Sequence, residues 1–136
     1  RFTTVRGIEV DADAIALAQK NATANAATNV TFESSKVEDV VTPLSEAALA
    51  ELLKNSDAVI LDPPRAGLHP RVVKTLVTSG PTDAVYVSCN YRVLARELPE
   101  ILTAYRIVSV RLVDLFPHTP HVETVVHLQR TAKRGT

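Results

Sequence analysis

Two apolar runs set the terms for this chain. Residues 57–62 (DAVILD) and 84–91 (AVYVSCNY) are rich in β-branched side chains, and each runs into a polar residue, Asp62 in one and Cys89 in the other. A continuous apolar run closed by turn residues reads as a fully buried parallel strand, since a strand covered on both faces has no polar side to show. Open α/β sheets bind their ligands at the carboxyl ends of such strands, so Asp62 and Cys89 stand where chemistry is expected. A lone cysteine is more often core filler than a reactive group. Its neighbours along the chain decide between the two.

The rest of the sequence alternates strand and helix signals at short intervals. Residues 5–10 (VRGIEV) form a first strand, and Asp11 or Asp13 can cap the helix that follows, because a short acidic side chain satisfies the free amides of a first turn. That helix is expected over 12–27, with Ile15, Leu17, Ala18 and Ala22 inward. A second strand starts at 29–32, and a second helix at 43–54 has proline in its first turn, with Leu44, Ala48, Leu52 and Leu53 inward. After the strand at 57–62, Pro63 and Pro64 open a loop, since two prolines cannot continue a ladder. A helix at 70–78, the strand ending at Cys89, a helix at 92–104 and two closing strands at 107–115 and 121–129 complete the order. This alternation predicts a single α/β unit with a Rossmann-like, doubly wound, mostly parallel sheet.

Composition narrows the function classes. Fifteen basic and fifteen acidic residues cancel, so no overall field draws in nucleic acid, and RNA binding would need a local patch or another domain. One cysteine excludes an internal disulfide framework. No apolar run is long enough to span a membrane and no signal-peptide pattern is present, which points to a soluble intracellular protein. The chain opens Arg1-Phe2-Thr3 and contains no methionine, as expected for part of a longer protein. The basic tail at 130–136 is expected to fray.

Two acids and one loop complete the candidate site. Glu9 closes the first strand, where an acid in a nucleotide-binding sheet accepts hydrogen bonds from ribose hydroxyls; the plainer role for such an acid is a helix cap. Asp62, ahead of the proline-stiffened turn, is a fixed acceptor at the mouth of the sheet. The segment 114–123 (DLFPHTPHVE) puts two histidines, two prolines and Glu123 between two apolar strands, a usual setting for catalytic side chains. A metal site of His118, His121 and Glu123 has only that one nearby third ligand, so no metal is expected. The histidines are read as fixing the loop or touching a substrate phosphate.

These residues together resemble the RNA uracil-5 methyltransferases, the S-adenosylmethionine-dependent enzymes that make 5-methyluridine in tRNA and rRNA. The resemblance rests on GIEVD (7–11), NVTF (29–32), LDPPRAGL (61–68), YVSCN (86–90) and DLFPHTPHVE (114–123), in that order across nearly the whole chain. It implies that Cys89 is the nucleophile, Glu123 the proton-abstracting base, and Glu9 and Asp62 cofactor contacts. C5 of uracil is a poor nucleophile, and a thiolate added at C6 turns it into part of an enolate that can attack a methyl sulfonium. A base must then remove the C5 proton before the thiol leaves. An ordinary cysteine titrates at about 8.5, so the site must favour the thiolate. The target base must also leave its stack to reach the pocket.

Two departures stand out. The family usually carries proline after SCN, whereas Tyr91 stands here; it leaves the backbone angle unfixed and can stack on a base. The family's first strand and Gly-rich turn are not found among the four glycines, none of which forms G-x-G. The resemblance therefore implies a partial catalytic domain over 1–136, with strands 5–10 and 57–62 lacking a shared neighbour and an RNA-binding region upstream. Such a piece alone is expected to be inactive, marginally stable and weak in cofactor binding. The substrate implied is tRNA, because DLFPHTPHVE looks most like the eukaryotic tRNA members. The alternatives are 5-methyluridine formation in rRNA, methylation of an exocyclic amine through Asp62-Pro63-Pro64, and a non-catalytic protein that binds or remodels RNA. The amine reading leaves Cys89 and Glu123 without roles.

Overall fold

The computed structural model describes residues 2–35, 46–115, 117–119 and 122–131. The expected helix start at 43–45, His121 and the tail from residue 132 lie outside the described residues. Among those described, the order is β1 (Val5–Glu9), α1 (Ala12–Ala24), β2 (Val30–Ser34), α2 (Glu46–Lys54), β3 (Ala58–Leu61), α3 (Pro70–Ser79), β4 (Asp83–Ser88), α4 (Tyr91–Ile101), β5 (Tyr105–Val113) and β6 (Glu123–Arg130). No helix here is long and apolar enough to cross a membrane.

The strands form two sheets, β1–β2 and β3–β4–β6–β5. Both β1–β2 and β3–β4 are parallel, while β6 runs antiparallel to its neighbours β4 and β5. Strands β1 and β3 do not pair with each other, so each keeps one open edge. The α/β class holds, with a mixed sheet whose antiparallel part is built by the last two strands.

In the first sheet, Asp11 caps α1 by accepting the amides of Asp13 at 2.8 Å and Ala14 at 3.2 Å. Ile15 is buried and Ala18 and Ala22 are half-buried, one face at a spacing of three and four residues. The inward position expected for Leu17 is wrong: it is 59% exposed, because two residues from Ile15 is the opposite side of a helix. Gly7 brings β1 close to β2, since a Cβ there would stand 2.8 Å from the Phe32 ring.

The second sheet carries the main core. Helices α3 and α4 contribute Val73, Leu76, Leu94 and Ile101, which pack with Ala84, Tyr86, Tyr105, Val126 and Leu128 from the strands. Leu49 and Leu53 of α2 join Val72 in a second cluster. Ala48, expected inward, is exposed, and Leu49 fills the place one residue on. The expectation that β3 and β4 are buried on both faces is also corrected. Along β4 only Ala84, Tyr86 and Ser88 are buried, their neighbours being half-buried, and Ile60 on β3 is 73% exposed. One face lies under the helices and the other is open, and apolarity alone does not distinguish the two.

Arg130 is not frayed. Its guanidinium donates to the Leu76 carbonyl at 2.6 Å and the Val77 carbonyl at 3.1 Å, and lies 4.7 Å from the centre of the Tyr105 ring. A cation held this way ties the end of β6 to the end of α3.

Candidate active site

The site is built at the end of β4. Ser88, its last residue, is buried, and its hydroxyl accepts the Asn90 amide and donates to the Asn90 carbonyl, both at 3.1 Å. This closes a tight turn over Cys89, the one cysteine of the chain, half-buried with a free thiol. Helix α4 begins immediately afterwards. Asn90 is its N-cap, but its side chain makes no cap bond. Instead Nδ2 donates to the Arg65 carbonyl at 3.2 Å, joining the Cys89 turn to the loop after β3.

That loop begins with Asp62. Because Leu61 pairs with Tyr86 in the parallel ladder, Asp62 leaves the sheet in step with Val87, two residues before Cys89. Its carboxylate is exposed. The two prolines lead into a turn in which the Gly67 amide donates to the Pro64 carbonyl at 2.8 Å, with Gly67 at φ +91°. The left-handed conformation makes glycine the fitting residue there.

Glu123 opens β6 and is half-buried. The antiparallel register pairs Ser88 with Thr124, so Cys89 and Glu123 are the next residues beyond that pair, on adjacent strands at one end of the sheet. These two, thirty-four positions apart in the sequence, are thus brought to the same end of the sheet by a single ladder.

Glu9 stands at the end of β1, in the other sheet, and is exposed. Its Oε1 accepts the amides of Val10 at 2.7 Å and Asp11 at 2.9 Å, while Oε2 takes no hydrogen bond among the described residues. Both readings of this acid are therefore compatible with one carboxylate: one oxygen shapes the turn and the other is open to a ligand. His118 is exposed in the loop before β6, at φ +65°. Tyr91, the residue in place of proline, is 53% exposed and carries the Arg92 guanidinium 5.7 Å from its ring centre. It stands two positions after Cys89.

Sequence reasoning missed the work of Ser88 and the tether from Asn90. The signal for the first was present, since a serine ending an apolar strand has to find a partner when buried. The second had none, because nothing local marks an asparagine as bonded to a loop 25 residues earlier.

Comparison with known proteins adds three findings. A family model described as tRNA (uracil-5-)-methyltransferase matches residues 1–131. Among curated relatives, an uncharacterised RNA methyltransferase of Streptococcus pyogenes serotype M1 is 40% identical over 130 residues, covering 96% of this chain and 28% of the relative. One from Nitratidesulfovibrio vulgaris is 40% identical over 125 residues, covering 92% and 26%. The chain thus spans under a third of the length of these relatives. Among solved structures, the Pyrococcus abyssi tRNA (uracil-54, C5)-methyltransferase in complex with S-adenosyl-L-homocysteine superposes with a TM-score of 0.75 at 40% identity, covering 92% of this chain and 28% of that one. The N-methyltransferase NodS of Bradyrhizobium japonicum, also bound to S-adenosyl-L-homocysteine, gives 0.64 at 9% identity, covering 95% and 67%. At that identity the likeness is one of fold, that of the class I methyltransferases.

Proposed function

The chain belongs to the tRNA (uracil-5-)-methyltransferase family, and from that premise we propose that its parent protein methylates C5 of a uridine in RNA, with tRNA as the substrate, through a covalent adduct of Cys89. The observation that carries the reading is the position of Cys89 and Glu123, each one residue past the Ser88–Thr124 pair that ends the β4–β6 ladder. A nucleophile for C6 and a base for the C5 proton have to reach neighbouring atoms of one ring. Adjacent strands supply two side chains at that separation.

S-adenosylmethionine, when bound, supplies the electrophilic methyl group that C5 accepts. The donor set suits it: Glu9 offers a carboxylate oxygen at the end of β1 and Asp62 another at the end of β3, both exposed acceptors for hydroxyl or amine hydrogens. The protein's own steps are then few. The Cys89 thiolate forms the S–C6 bond, and the C5=C6 electron pair moves into the enolate, which makes C5 nucleophilic. Once C5 carries the methyl group, Glu123 takes its proton. That electron pair restores C5=C6, the C6–S bond breaks, and the thiolate leaves. The Ser88 hydroxyl holds the turn that presents Cys89, and its two 3.1 Å bonds fix the thiol's backbone during both attack and departure.

The test uses the full-length parent, S-adenosylmethionine and tRNA carrying 5-fluorouridine. Fluorine at C5 cannot be taken as a proton, so the adduct should persist after methyl transfer. Mass spectrometry should find nucleotide on the peptide containing Cys89, dependent on the methyl donor and absent in Cys89→Ala. Methyl transfer to RNA without an adduct, or tight tRNA binding with neither, would contradict the reading.

A further inference from the structure

Of the two acids on α4, Glu100 is exposed, whereas the Glu97 side chain is only 10% exposed. Its Oε2 accepts two hydrogen bonds, from the Tyr86 hydroxyl at 2.7 Å and from the Leu68 amide at 3.3 Å. Tyr86 lies in β4, the strand that leads into Cys89, and is fully buried. Leu68 lies in the loop that begins at Asp62. One carboxylate therefore ties the nucleophile's strand to the loop of the second candidate acid.

Other contacts act along the same seam. Asn90 Nδ2 bonds the Arg65 carbonyl, and Arg96 Nη2 reaches the Ala66 carbonyl at 3.5 Å, so α4 and its cap hold the loop at three successive places. Gly67 shows how close the approach is. A Cβ at that position would stand 2.0 Å from Glu97 Oε1 and 2.4 Å from Val93 Cγ1.

Placing a carboxylate here costs desolvation that a leucine would avoid, so packing alone does not account for it. What leucine cannot do is accept the Leu68 amide and the Tyr86 hydroxyl together. Burial, and then the bond to Glu97, push the Tyr86 phenol well above its ordinary range, which keeps it a donor at every working pH.

We propose that Glu97 is a positioning residue: it fixes the loop at 62–68, and with it Asp62 and Arg65, relative to Cys89. This rests on the reading of Cys89 as the nucleophile. A loop displaced by about 1 Å can cost on the order of a hundredfold in rate even when nothing at the reacting atoms has changed.

The experiment compares the full-length parent with its Glu97→Ala, Glu97→Gln and Tyr86→Phe variants, well below their unfolding temperatures. The readouts are the single-turnover rate of methyl transfer to tRNA and the Kd for S-adenosyl-L-homocysteine. Glu97→Ala should slow the single turnover by about tenfold or more, and Glu97→Gln should stay within about threefold of wild type, because its amide oxygen can still accept both bonds. A merely structural role would lower Tm in both variants and leave the rate at saturating substrates unchanged, which would overturn the proposal. Should Glu97→Ala fail to fold, Tyr86→Phe carries the test, and a rate equal to wild type would overturn it. If the wild-type parent forms no Cys89 adduct, the nucleophile reading falls separately. The clamp is then judged on Kd, where weakening in Glu97→Ala that Glu97→Gln restores supports it and an unchanged Kd overturns it.

Discussion

The β1–α1–β2 unit and the four-stranded sheet are made from similar residues but are packed very differently. In the first, Ile15 is the one core side chain, at 9% exposure, and Val5, Val10 and Leu17 are all more than 40% exposed. In the second, Leu76, Tyr86, Ile101, Tyr105, Val126 and Leu128 are essentially sealed from solvent. The candidate site divides along the same line. Glu9 sits on the thin unit, while Asp62, Cys89 and Glu123 sit on the packed one. The residues proposed for the covalent chemistry thus sit on a scaffold that buries its own core, and the acid proposed as a ribose contact on one that does not.

The comparison can be broken most sharply at Cys89. Replacing it with alanine should reduce RNA methylation by the full-length parent by on the order of 10⁴-fold, as loss of a nucleophile does. The same change should alter the stability of the chain by less than about 1 kcal/mol, since the thiol is half-buried. A methylation assay and a urea titration on the same variant separate the two effects.

Stability should follow packing. Leu76→Ala should cost about 3 kcal/mol, and Ile15→Val about 1 kcal/mol, in urea unfolding. Hydrogen exchange should show the amides of β1 and β2 opening before those of β4 and β6, because a unit with one buried side chain has little to hold it. If the isolated chain unfolds in one cooperative step and binds S-adenosyl-L-homocysteine at micromolar concentration, the contrast between the units is wrong.

Glu9→Gln in the parent should weaken S-adenosyl-L-homocysteine binding by about tenfold, the worth of a charge-assisted hydrogen bond. Calorimetry would measure it, and an unchanged Kd would leave Glu9 as the turn-former that its Oε1 bonds already make it.

The smallest effect is alkaline. All three tyrosines lie in the second unit or its helix, and burial raises the phenols of both Tyr86 and Tyr105. The unfolded phenol titrates near 10, so this contribution is complete below about pH 10 and is lost as pH rises from there through the folded values. The second unit should therefore lose stability above that pH, with a shallower slope in Tyr86→Phe.

Much of this was legible in the sequence. The strand–helix order, the turn after Asp62 and the position of Cys89 at a strand end follow from apolar runs broken by proline and serine. The approach of Cys89 to Glu123 depends on the pairing of β4 with β6, which neither periodicity nor the family resemblance gave; the resemblance gave only the roles. Leu17 was misplaced because apolarity was weighed without its angle around the helix axis. The open face of β3 and β4 was hidden because a run of apolar residues looks the same whether one side or both are covered. Glu97 was least visible of all. A glutamate on an amphipathic helix reads as solvated, and its burial depends on Tyr86 and Leu68, brought to it from another strand and another loop.

The central claim is that Cys89 and Glu123 are nucleophile and base in one reaction, and a variant of the base tests it most directly. Full-length parent carrying Glu123→Gln would be incubated with S-adenosylmethionine and unmodified tRNA, and its Cys89 peptide weighed by mass spectrometry. Without a base for the C5 proton, the account predicts a stable adduct of that peptide with methylated uridine, absent when Cys89 is also replaced by alanine. Normal turnover by Glu123→Gln with no accumulated adduct would contradict it.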